Sequence, residues 1–184
     1  MKIENESQIR ELYGYPPQRS VDKVLTHLEK HALNFIQKSP FLVMSTSNNN
    51  GKMDASPRGG VPGFVKVIDD TTIVMPDAKG NNVVDSISNI VETGTIGLLF
   101  LIPGLDETLR INGTAYISTA TSYLELFTEE QSPPKACVVI SVEDMFLHCA
   151  KAFMRSKLWD ASAQINSKYF PSMGQMLKDQ IGSS

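Results

Sequence analysis

The chain has 184 residues, 41% of them hydrophobic and 20% charged, with a formal net charge of −3. That is enough for one domain with a sizeable core, and the balance is ordinary for a globular protein. It excludes non-specific nucleic-acid binding, which needs a strong basic surplus. Two cysteines, Cys137 and Cys149, are too few for a disulfide framework and predict two small buried thiols in a reducing compartment.

The N-terminus is polar and lacks the apolar stretch of a signal peptide. The longest apolar run, Ile96–Ile102, is far short of the roughly 20 residues that span a bilayer. The expected location is cytoplasmic, with neither membrane nor nucleic acid as a partner. Residues 1–19 read as a polar arm closed by Pro16 and Pro17. Ser20 then caps a helix of about four turns carrying Val21, Val24, Leu25, Leu28, Ala32, Phe35 and Ile36 on one face, and Pro40 ends it.

A β-rich block comes next. Residues 41–47 form a strand, Asn48 to Lys52 a hairpin turn, and residues 53–59 the returning strand. Residues 64–68 and 71–75 read as two further strands joined by a tight turn. The period then changes: Val83, Val84, Ile87, Ile90 and Val91 predict a short helix, with Gly94 placed to stop it. Strands return over 95–102 and 108–118, a helix over 121–130, and a last strand over 136–142. Residues 143–159 read as a helix or a helical turn into an extended segment, and Ile165 to Ile181 as a C-terminal docked helix. With six or seven strands and no repeated βαβ unit, this order predicts an antiparallel sheet closed into a small barrel with short helices around it. All of residues 1–184 are assigned to that one domain, with 1–19 as the arm and 160–184 holding the docked helix.

Nucleotide-loop, zinc-protease and nucleophile-elbow motifs are missing. His27 and His31 sit four apart, but no third ligand is evident, so no metal site is expected. Three segments carry anion-binding chemistry. In the first, Asp54 to Lys66, Arg58 can grip a phosphate or carboxylate and Gly59 and Gly60 allow close backbone approach. In the second, Met75-Pro76-Asp77 ends a strand, and Lys79, Gly80, Asn81 and Asn82 lead into a helix whose N-terminal N–H groups suit a phosphate. Equally, Asn81 or Asn82 would serve as an ordinary helix cap. In the third, Arg110 and Asn112 share the strand face opposite Leu109 and Ile111. None of these segments supplies an acid–base pair or a nucleophile, which fits a protein whose reactive group is a bound cofactor.

The segments DASPRGG, VIDDTTIVMPDAKGNNVVDSISNI, GLLFLIPGLDETLRINGTA and HCAKAFMRSKLWD, in that order, resemble the pyridoxamine 5'-phosphate oxidase-related, FMN-binding split-barrel proteins. The resemblance covers roughly residues 20–160 and implies a six-stranded antiparallel split β-barrel with flanking short helices. It also implies a homodimer with FMN at the subunit interface and hydride transfer through the flavin to or from an unidentified small molecule. By resemblance, Arg58 lies near the FMN phosphate, with Gly59 beside it to allow close backbone approach, and Met75, Pro76 and Asp77 line the flavin ring with backbone groups. Lys79, Asn81 and Asn82 hold the phosphate and ribityl chain, and His148, Lys151, Arg155, Ser156 and Trp159 reach across the dimer; Arg110 joins the anion pocket on the reading of the residues themselves. Two features depart from the oxidases proper. Gly80-Asn81-Asn82 stands in place of a Ser-Arg-Lys run, and the C-terminus lacks an Arg-Leu-x-x-Arg ending. Pyridoxamine phosphate is therefore not the expected substrate, and a non-catalytic flavin, deazaflavin or haem carrier on the same barrel is the alternative.

Overall fold

A computed structural model describes residues 2–78, 83–129 and 132–182. Its centre is a seven-stranded, wholly antiparallel sheet: β1 (Phe41–Ser47), β2 (Met53–Gly59), β3 (Lys66–Val67), β4 (Thr72–Pro76), β5 (Thr95–Leu101), β6 (Thr108–Ser118) and β7 (Cys137–His148). The spatial order is β2-β1-β5-β6-β7-β4-β3. Two expectations are corrected here. The sheet has seven strands where the resemblance implies six, the expected strand over 64–68 shrinking to a two-residue edge, Lys66 and Val67, against β4, and it is not closed. The chain passes from β2 to β3, the two outer edges, through a stretch of turns instead of a shared ladder.

The core sits on one face. Leu42 and Met44 from β1, Leu98 and Phe100 from β5, Leu109 and Ile111 from β6, Ile140 from β7 and Ile73 and Met75 from β4 join one buried cluster. Alternation accounts for most of it: β1 and β5 each bury every second residue. On β4, Ile73, Val74 and Met75 are all buried, because Val74 packs on the other face with Val139, Cys137 and Phe127. The cover over that second cluster is the turn α5 (Thr121–Leu124) and the 3-10 turn Glu125–Phe127, in place of the longer helix expected over 121–130.

The expected four-turn helix is two shorter ones, α2 (Gln18–Asp22) and α3 (Lys30–Lys38). Between them Leu25 exchanges backbone hydrogen bonds with Met145, and Leu28 N–H donates to the Asp70 carbonyl. Pairing with the sheet thus overrides helical spacing. α3 is capped by Glu29, whose carboxylate accepts from the N–H groups of His31 and Ala32. The polar arm also holds a helix, α1 (Glu6–Tyr13).

Residues 143–148 extend β7 rather than starting a helix, and the helix α6 begins only at Lys151 (Lys151–Ser156). The C-terminal helix forms as α7 (Met173–Ile181), but none of its residues is buried. Among the described residues no helix is long and apolar enough to cross a membrane. Cys137 is buried as expected, whereas Cys149 is exposed at the end of β7, where the chain has left the core.

Candidate functional site

One cleft of about 380 Å³ opens between β2, the end of β4, the start of α4 (Asp85–Thr93) and residues 132–135 before β7. Its β2 wall is Asp54, Ser56 and Arg58, three half-buried side chains two residues apart. Register shows which way they point. Arg58 pairs with Leu42, Ser56 with Met44 and Asp54 with Thr46, and all three β1 partners are buried. The polar row therefore lies on the core side of an edge strand. Arg58 Nη1 donates to Ser56 Oγ at 2.8 Å and to the Pro57 carbonyl at 3.4 Å, which orients the guanidinium along the strand.

The opposite wall begins at β4. Pro76 pairs with Cys137 and Asp77 N–H donates to the Ala136 carbonyl at 3.0 Å, so the strand end is held by β7 and Asp77 turns into the cleft. Burial pushes the Cys137 thiol above its usual range, and the nearby Asp77 carboxylate adds to that. The Lys79, Asn81 and Asn82 expectations fall outside the described residues. At the start of α4 the residue before the helix is Val84, and among the described residues no side chain caps it. Val84, Asp85 and Ser86 line the cleft, so the start of a nine-residue helix faces it, with no side-chain acceptor among the described residues. Ser86 Oγ donates to Asp54, which ties α4 to β2 and occupies that carboxylate. Buried Asn89 donates to Thr46 Oγ1 at 3.0 Å and fixes the same helix against β1.

Sequence reasoning missed Asp54, Ser56, Ser86 and Lys135. The β2 row was visible as i, i+2, i+4 polar residues in a strand, but only pairing with buried β1 residues shows that it faces inward. Lys135 comes after Pro133-Pro134 and gave no signal of its own. Among the described lining residues, Arg58 and Lys135 face the three carboxylates Asp54, Asp77 and Asp85.

The remaining expected residues are placed elsewhere. Gly59 ends β2, where an added Cβ would meet the Pro40 carbonyl oxygen at 3.1 Å. Met75 is fully buried in the core, so only its backbone could face a ligand. Arg110 pairs with Leu99 and Phe146 on the outer face of the sheet, the face opposite Arg58. His148 ends β7 and stands 5.5 Å from the Phe146 ring. Lys151, Arg155 and Ser156 are exposed on α6. Trp159 stacks on Phe153 and donates its Nε1–H to the Leu105 carbonyl at 2.9 Å. The single chain thus separates the expected anion pocket into an inner cleft, an outer-face cluster and an exposed C-terminal segment.

Residues 28–149 match the family model for pyridoxamine 5'-phosphate oxidase. The chain belongs to the pyridoxamine 5'-phosphate oxidase family. Among curated proteins none matches it. Solved structures extend the likeness at the level of fold. HupZ from Group A Streptococcus superposes with a TM-score of 0.55 at 20% identity, over 65% of this chain and 93% of that one. A protein from Lactobacillus delbrueckii taken to be a pyridoxamine 5'-phosphate oxidase gives 0.51 at 17% identity, over 66% and 95%. As a member of this oxidase family the chain carries its cleft within the matched region, while α6, α7 and the arm lie outside it.

Proposed function

We propose that this family member is an FMN-dependent oxidoreductase whose cleft between β2 and α4 holds the phosphate end of the flavin. The observation that carries the reading is the start of α4, which opens, without a side-chain cap among the described residues, into a cleft walled by Arg58. Uncapped N–H groups and the positive end of a helix dipole favour a phosphate, and a guanidinium can hold two of its oxygens. The other lining residues fit the rest of the cofactor. Ser56 and Asp77 can hydrogen-bond a hydroxylated chain, and Val83, Val84, Ile87, Pro133 and Pro134 offer apolar surface to a ring. When bound, the flavin supplies hydride transfer, so the chain itself needs no acid–base pair. Its residues bind, orient and exclude water.

The partner in this reading is a second copy of the chain, with the flavin at the interface. His148, Lys151, Arg155, Ser156 and Trp159, which no contact draws into the cleft of their own chain, would then serve the partner's flavin. The substrate is a small molecule.

The test is the absorbance spectrum of freshly purified protein. A flavin spectrum, with FMN released on denaturation, is the expected result. Colourless protein that fails to take up added FMN overturns it. Mixing the loaded protein with NADH or NADPH then distinguishes an enzyme from a carrier, since a carrier's flavin stays oxidised.

A further inference from the structure

The outer face of the sheet holds a second cationic cluster, away from the cleft. Arg110 lies across the ladder from Phe146, with its guanidinium carbon 4.2 Å from the ring centroid. Lys23, just after α2, places its ammonium 4.6 Å from the same centroid. The Leu25–Met145 bridge is what brings that lysine over β7. Arg19, Ser20 and the carboxylate-bearing Glu29 line the adjoining hollow, of about 430 Å³, together with Lys23 and Phe146.

Among the described residues none of these cations has an acid, and the only ion pair is Arg10 with Glu6. Neither Arg19, Lys23 nor Arg110 makes a hydrogen bond there, and Arg110 Nε is buried with no acceptor at all. Two carboxylates of this region make hydrogen bonds of their own. Glu29 caps α3, and Asp144 accepts from Asn112 Nδ2 at 3.0 and 3.3 Å. In a chain where acids outnumber bases, 20 to 17, two cations share one ring, neither of them in an ion pair among the described residues and one with a desolvated donor that has no acceptor.

We propose that Arg110 and Lys23, held on Phe146 with Arg19 at the rim, form an oxyanion-binding site separate from the flavin cleft. It would take the phosphate or carboxylate group of a small ligand. Arg110 supplies the fixed, partly desolvated donor and Lys23 the adjustable charge. The ring orients both cations without neutralising either.

The test is a titration of isotope-labelled full-length protein with inorganic phosphate at constant ionic strength, followed by amide NMR, with sodium acetate as a second arm. Saturable shifts centred on residues 23, 110 and 146 are expected. A response to phosphate assigns a phosphate-bearing ligand, and a response to acetate alone a carboxylate. Lys23→Gln, an exposed change that leaves the core intact, should weaken binding about tenfold, and Lys23→Gln with Arg110→Gln should abolish it. Arg58→Ala should leave these shifts in place, which separates this site from the cleft. No saturable shift with either anion, shifts spread over surface lysines, or shifts that survive the double substitution would overturn the proposal.

Discussion

Arg58 and Arg110 look alike in the sequence: each is a strand arginine beside small or apolar neighbours. Their difference is a matter of register. Arg58 sits across from buried Leu42, whereas Arg110 sits across from Phe146 on the outer face. Strand periodicity tells which residues of one strand share a face, but which face meets the core depends on pairing. Arg58→Ala is therefore expected to weaken FMN binding by about 1.5–3 kcal/mol, the usual worth of hydrogen bonds to a charged group. Fluorescence titration checks this, and unchanged affinity would remove Arg58 from the cofactor site. The two cysteines separate in the same way. Cys137 is buried, with its thiol pushed up by desolvation and by Asp77, so the reactive thiolate is disfavoured. Cys149 is exposed. One thiol should react rapidly with a disulfide reagent in the native protein and two after denaturation. Two fast equivalents in the native state would contradict the burial of Cys137.

At the scale of elements, most strands were legible because they are regular. β1 and β5 bury alternate residues throughout, and β6 runs over the expected residues 108–118. The last strand was cut short for a specific reason. The ladder between β6 and β7 slips between Asn112 and Gly113, so that Asn112 pairs with Asp144 and Gly113 with Val142. Glu143 is the extra residue of a bulge, and the core-facing phase flips across it. Val142, Met145 and Phe146 are then all buried at i, i+3 and i+4, a spacing that imitates a helix. The helix over 21–36 failed by the opposite route, since Leu25 and Leu28 are spent on pairing and not on a helix face. The bulge yields a sharp prediction. A Cβ on Gly113 would overlap the Ser141 carbonyl oxygen, and that neighbour is backbone, which cannot swing aside as a side chain would. Gly113→Ala should lower stability by about 1–3 kcal/mol or more, read as a reduced urea midpoint. A midpoint equal to that of the parent would mean the bulge is not formed.

For the whole molecule, the cleft is built from elements far apart in the chain: β2, the end of β4, the start of α4 and residues 132–135. Sequence named three of these walls but could not bring them together or add residues 132–135, because only the order β2-β1-β5-β6-β7-β4 sets their positions. The same arrangement couples cofactor to stability. FMN in the cleft would bridge β2 to α4, already joined by Ser86 and Asp54, and unfolding would have to release it. FMN at a hundred times its dissociation constant should then add roughly 2.7 kcal/mol. For a domain of this size that is a rise of roughly 5–10 °C in Tm. A homodimer should show twice the 20.3 kDa chain mass by light scattering. If the flavin lies at the subunit interface, the two readouts are linked: FMN should also shift a dilute sample toward the dimer, because a ligand held by both chains stabilises only the assembled form. A rise in Tm with no change in mass would place the flavin within one chain, and no rise would remove it from the cleft.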